Sequence, residues 1–317
     1  MKQKRTISLF CLAAALLVSA CTQNSQQQSS SSAGDTAASD SGLTSSSTNP
    51  DSSTTASSIG TSSSTSASSS TVDDPYYAGI DWTLKGAALK TALFNKIKTH
   101  TAIGYGALYD AYKKTDVHVV DGKEIIWDMY SSCKFTPGTD ENHSSYTNEG
   151  DNYNREHTIP QSIFNSKDPM YSDLFHIYPT DSYVNNKRSN YPHGVVKGTA
   201  SYTSSNGCKL GTSDPSTGYS STVFEVIDEY KGDFARTYFY FGTCYEDKMA
   251  GLNSFDAFAK NTYPSLSTWA KNLYLKWAKD DPVSEKEINR NKVAYSIQKN
   301  RNPFIDHPEA AEAIWGA

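Results

Sequence analysis

The sequence predicts an α+β domain, mainly helical, built around a small antiparallel ribbon and preceded by a segment that does not fold. Three observations lead there. Residues 22–72 hold 21 Ser and 9 Thr and no aromatic, Lys or Arg, a composition that cannot bury enough apolar surface to offset its chain entropy. The aromatic residues of the 317-residue chain fall almost entirely after Asp73, in about 245 residues, enough for one full core. Within that part, apolar residues at helical spacing occupy both ends and flank a middle of short strand-like runs.

The elements follow in order. Lys2, Lys4 and Arg5 precede an apolar run from Ile7 to Leu17 that is too short to span a bilayer, and Val18-Ser19-Ala20 closes it in the manner of a cleavage site. Cys21 directly after Ser-Ala resembles a bacterial lipobox. The expectation is a lipoprotein signal peptide over 1–20, lipidation at Cys21, and a tether over 21–72 with a root-mean-square span of roughly 40 Å. The alternative is an ordinary signal peptide with an incidental Cys.

Leu84, Ala88, Leu89, Ala92, Leu93 and Ile97 predict an amphipathic helix near 83–98, followed by a shorter one near 107–113. Val117–Val120, Asp121-Gly122 and Glu124–Trp127 read as a β-hairpin. Residues 136–153 form a long polar loop, and Ala235–Phe241 belongs to a buried helix. The C-terminal third is helical again. There Ser284 and Glu287 make a capping box for a helix running to about Lys299. Trp127, Trp269, Trp277 and Trp315 are expected in the core. Cys133, Cys208 and Cys244 lack zinc-ribbon spacing, so one disulfide and one buried thiol are expected. The net charge of -5 argues against a protein held to nucleic acid by bulk positive charge and leaves room for a local basic groove.

The chemistry lies in two segments. Asn154-Arg155-Glu156-His157-Thr158-Ile159-Pro160 follows the long loop. An adjacent Glu-His pair is on its own an ordinary surface strand, and it lacks the second His of a zinc-protease helix. On a strand the two side chains point to opposite faces. The second segment runs from Asp173 to Pro192. Leu174–Tyr178 is expected as a strand and Pro179 in the first turn of a helix ending near Arg188. The unit then reads strand, loop, strand, helix, and it brings Asn185 close to Glu156. A carboxylate and a side-chain amide suit a hard cation such as Mg²⁺, which keeps several waters.

These two segments resemble the endonuclease I family of exported bacterial nucleases, which use a ββα-metal (His-Me finger) site. The resemblance rests on Glu156-His157 with Pro160, on Asp173–Asn190, on Lys231–Tyr240 and on Asn300–Glu309, four blocks in the family's order. It implies that His157 is the general base that activates water. It also implies that Glu156 and Asn185 hold a single Mg²⁺, with Ca²⁺ or Mn²⁺ as substitutes in binding. The expected products carry 5′-phosphate and 3′-hydroxyl ends. DNA and also RNA would be bound through phosphate contacts by a monomer outside the cytoplasm, anchored to a membrane by its lipid.

Two departures matter. Phe175 precedes His176 where many members have two adjacent His, so His176 is expected to pack or to orient by a hydrogen bond. The stretch from Gln161 to Asp173 contains no Arg, where some relatives place a transition-state Arg in a disulfide-bearing loop. Arg188 and Arg236 are candidates for phosphate contact or for structural ion pairs, and Asn190 and His193 are further candidate substrate contacts. His118 is expected at the surface or satisfied in the core, and His307 is expected to cap the last helix. Two other functions stay open on sequence: a surface nucleic-acid-binding lipoprotein on an inactive nuclease scaffold, and an exported hydrolase of another class such as a two-carboxylate glycosidase.

Overall fold

A computed structural model describes residues 74–143 and 145–316. The expected signal peptide, Cys21 and the expected tether lie outside the described residues. The described part opens with α1 (Gly86–Ile97), which buries Leu89, Leu93 and Ile97 on one face, and α2 (Leu108–Thr115). An antiparallel hairpin follows, β1 (Val117–Val120) with β2 (Lys123–Ile126), turning at Asp121-Gly122. After the long loop come β3 (Tyr153–His157), β4 (Ile177–Asp181) and α3 (Ser182–Arg188). A three-stranded meander, β5 (Tyr202–Thr203), β6 (Lys209–Thr212) and β7 (Thr222–Glu225), precedes the helices α4 (Lys231–Cys244), α5 (Thr268–Asp280), α6 (Glu285–Gln298), α7 (Pro303–Asp306) and α8 (Glu309–Trp315).

Helix α4 is the spine. Every residue from Gly232 to Cys244 is buried, the buried Arg236 being paired with Glu287 inside the fold. It packs against α5 and α1, and the core around it takes in Phe239, Phe241, Trp269, Tyr274, Trp277 and Trp315. Trp127 departs from the expectation: it is half-buried and stacks on His118, with ring centroids 4.5 Å apart. The capping box of Ser284 and Glu287 is present. Arg290 of α6 reaches across to Asp116 (2.7 Å) and to the carbonyls of Leu174 (2.7 Å) and Ile177 (3.1 Å), fixing the chain as it enters β4.

The ribbon β3–β4 pairs antiparallel, with Glu156 opposite Tyr178 and His157 opposite Ile177. It begins later than the sequence predicted. Asp173 folds back on itself, its side chain accepting from Phe175 N (2.9 Å) and its carbonyl from His176 N (3.2 Å), and this turn displaces the strand from 174–178 to 177–181. Pro179 therefore sits inside β4, opposite Arg155, and does not start the helix. Asp181 does: its carboxylate accepts from Tyr183 N (2.8 Å) and Val184 N (3.0 Å), an N-cap that outcompetes proline as the signal. The expected disulfide is corrected as well. Cys133, Cys208 and Cys244 are all free thiols. The last helix is entered through Pro308, and His307 instead ends α7, its backbone N–H donating to Pro303 O (2.7 Å). The His307 ring packs on Trp82 (4.0 Å) and Tyr77 (4.9 Å).

Candidate active site

Strand alternation divides the site into two faces of β3. On one face stand Asn154 and Glu156, on the other Arg155 and His157. Glu156 is almost fully enclosed. Its Oε1 accepts from Arg188 Nη1 (2.7 Å) and from the Tyr130 hydroxyl (2.9 Å). Burial pushes the carboxyl up to about 7, against the lowering pull of Arg188 and Tyr130. Asn185 reaches the same face from α3, where its Nδ2 donates to Asn154 Oδ1 (2.6 Å). Among the described residues, Glu156 Oε2 and Asn185 Oδ1 carry no hydrogen bond, and neither is sealed from solvent.

His157 occupies the opposite face, 5% exposed, with Tyr105 and Tyr171 near-parallel to it at 5.7 and 5.6 Å and Phe164 at 5.9 Å. Its Nε2 lies 3.3 Å from the carbonyl of Tyr171. A carbonyl only accepts, so the proton sits on Nε2 and the lone pair on Nδ1, which has no hydrogen-bond partner among the described residues and is not sealed from solvent. Burial drives the imidazole down to about 3, and the neighbouring His176 adds to the effect. The ring is a neutral base across the physiological range. His176 is buried behind it, its Nε2 donating to Met170 O (2.7 Å), a packing and orienting role.

Burial removes three residues from the candidate substrate contacts. Arg188 is enclosed and spends its guanidinium on Glu156, His157 O (2.8 Å), Thr158 O (2.5 Å) and Tyr191 O (3.0 Å). Arg236 lies in the core, bidentate to Glu287 (2.5 and 2.7 Å). His193 is sealed between Tyr130 (2.8 Å) and Tyr238 (3.0 Å). Asn190 alone of the four is exposed, just past the end of α3.

The structure supplies what the motifs did not name. Arg155 shares the His157 face, its guanidinium 3.8 Å from the Tyr105 ring and 4.3 Å from that of Tyr109. It forms no ion pair among the described residues; its one hydrogen bond, 3.2 Å, goes to Tyr105 O. Lys167, in the loop that carries Tyr171, and Lys187, on α3, likewise have no carboxylate partner among the described residues. A cleft of about 410 Å³ beside the hairpin, lined by His118, Trp127, Asp128 and Tyr230, contains neither Glu156, His157 nor Asn185.

The shielded imidazole of His157 and the oxygens of Glu156 and Asn185 thus stand on opposite sides of one strand, a placement suited to phosphodiester chemistry. Comparison with known proteins makes this specific. Residues 85–309 match the family model described as Endonuclease I, and the chain belongs to that family. It is 34% identical over 237 residues to an extracellular ribonuclease of Bacillus amyloliquefaciens, covering 73% of this chain and 74% of that protein. It is 33% identical over 250 residues to an extracellular ribonuclease of Bacillus subtilis (strain 168), covering 76% and 78%. Endonuclease-1 of Buchnera aphidicola subsp. Acyrthosiphon pisum (strain APS) is 24% identical over 134 residues, 42% of this chain and 44% of that protein.

Proposed function

We propose that the chain is a monomeric, Mg²⁺-dependent endonuclease of ββα-metal type, held outside the cytoplasm by a lipid on Cys21, that cuts DNA and RNA to leave 5′-phosphate ends. The observation that carries this reading is the division of labour across β3. Two oxygens without a hydrogen bond among the described residues, Glu156 Oε2 and Asn185 Oδ1, stay unsealed on one side, and Nδ1 of a neutral His157 does so on the other.

The donor set fits Mg²⁺. One carboxylate and one amide leave most of the shell to water, which that ion retains. Among the described residues no group of three or more His, Cys, Asp and Glu forms an all-protein cage. Glu156 and Asn185 would hold the ion, which when bound supplies positive charge to the phosphate and to the leaving 3′-oxygen. His157 takes a proton from water at Nδ1, while Tyr171 O keeps the other ring nitrogen protonated and the ring in place. Arg155 sets positive charge beside that base, where the pentavalent phosphorus gathers negative charge. Contacts to phosphate through Arg155, Lys167 and Lys187 carry no base information, which suits cleavage tolerant of sequence. The names of the two Bacillus relatives support RNA as a substrate and an extracellular place of work.

Supercoiled plasmid and a structured RNA, incubated with the protein in Mg²⁺ or EDTA, test the reading. Expected are cleavage in Mg²⁺ alone, 5′-phosphate ends that accept a ligase, and a loss of about 10²–10⁴-fold in His157→Ala. A folded wild-type chain that binds DNA and never cuts it would replace the enzyme with a binding lipoprotein.

A further inference from the structure

At Glu156 a buried polar chain reaches the site, and the direction of that chain is fixed by chemistry. Glu156 is paired with Arg188 and accepts at Oε1, so the Tyr130 hydroxyl donates to it (2.9 Å). That hydroxyl has one proton. It must therefore accept from His193 Nε2 (2.8 Å), which makes His193 an Nε2–H tautomer with a lone pair on Nδ1. The lone pair in turn accepts from the Tyr238 hydroxyl (3.0 Å). All donors thus point one way, Tyr238 to His193 to Tyr130 to Glu156.

Every member is buried, and the chain is anchored on rigid structure. Tyr238 lies on α4, the spine. The backbone of His193 is pinned at N by Tyr238 (3.4 Å) and at O by the Tyr274 hydroxyl of α5 (3.0 Å). The ring stacks on Phe234 at 4.4 Å. Arg188 and Tyr130 both bind the same oxygen of Glu156, and together they fix the plane of the carboxylate. Arg188 alone would let the carboxylate swing so that both oxygens meet the guanidinium fork, a geometry such pairs favour. Oε2 would then leave the opening.

We propose that His193, acting through Tyr130, is a positioning residue that keeps Glu156 Oε2 turned toward Asn185 and free for a divalent cation. This rests on the proposed role of Glu156 as a metal ligand. Partners of this kind behind a ligand are worth about 10–100-fold in metal affinity.

The test is calorimetric titration of Mg²⁺ into the metal-stripped full-length chain, with melting temperature and DNA binding in EDTA followed in parallel. Tyr130→Phe removes one oxygen, His193→Phe removes both ring donors and acceptors, and His193→Gln restores an N–H toward Tyr130. Expected is a Mg²⁺ dissociation constant raised about tenfold or more in Tyr130→Phe and His193→Phe, recovery in His193→Gln to within about threefold, and unchanged DNA binding in EDTA. Tyr130→Phe is the smaller change and decides the matter if His193→Phe does not fold. Glu156→Gln separates the two levels. If it abolishes Mg²⁺ binding while Tyr130→Phe binds like the parent, this inference is overturned and the proposed function stands. If Glu156→Gln itself binds Mg²⁺ like the parent, the metal-ligand reading is overturned and this inference goes with it.

Discussion

His176 offers the cleanest test of how this core treats charge. It is fully buried beneath His157, and burial holds its imidazole down to about 4, outweighing the pull of Asp173 in the other direction. An unfolded histidine titrates near 6.5. Above that pH both states are neutral and the residue contributes no pH dependence. Between about 6.5 and 4 the unfolded chain binds a proton that the folded chain refuses, so stability falls as pH falls. The loss from pH 7 to 4.5 is about 2 kcal/mol. His176→Gln keeps an N–H for Met170 O and cannot titrate. Urea unfolding of both proteins at pH 7, 5.5 and 4.5 should show the difference between them moving by about that amount in the variant's favour on acidification. Parallel stability curves over that range would refute the claim that burial keeps this ring neutral.

Three further outcomes are expected. Arg188→Met should cost about 3–5 kcal/mol in urea unfolding, because Glu156 stays buried without its cation, and adding Glu156→Gln should recover a large part of it. Arg155→Ala should lower kcat/KM about a hundredfold at low salt with little change in unfolding midpoint, and the salt dependence of DNA binding should lose roughly one unit of slope. Cys21→Ser should move the protein from the membrane fraction to the soluble one after cell fractionation, whereas an incidental cysteine would leave its distribution unaltered.

Local signals were legible and long-range ones were not. Helical spacing gave α1 to within a few residues at its start, and the capping box gave α6, since both depend on neighbours three or four apart. The turn at Asp173 escaped because Leu174 to Tyr178 is apolar enough to pass for a strand. What folds it back is one side-chain carboxylate, reinforced by Arg290, 116 residues away from Leu174. The meander β5–β7 left no trace, being two to four residues per strand in a Ser-, Thr- and Gly-rich stretch. In the site, the motifs marked Glu156, His157 and Asn185 but could not say what surrounds them. Tyr130 lies 26 residues from Glu156 and 63 from His193, a separation no pattern in one sequence encodes. Arg155 was in plain view beside Glu156. The signal that would have found it is the strand alternation already used for His157, since residues two apart share a face.

The same alternation explains how an imidazole proposed as base and a carboxylate can be chain neighbours here. Their electrical needs conflict. An ionised carboxylate beside an imidazole raises the imidazole's proton affinity, and a protonated ring cannot activate water. Placing them on opposite faces of β3 lets each face be tuned by residues distant in sequence. Glu156 receives the cation and hydroxyl donor it needs, Arg188 and Tyr130, while His157 receives burial, three aromatic rings and the positive charge of Arg155, all of which keep it neutral. Arg188 belongs to both faces: one nitrogen, Nη1, holds the carboxylate of Glu156 and the carbonyl of His157 together, so a shift of either group is felt by the other. A buried arginine can therefore govern the spacing of the proposed base and the proposed metal ligand. It follows that Arg188→Lys, which keeps the charge and loses the fork, should impair cleavage more than it impairs folding.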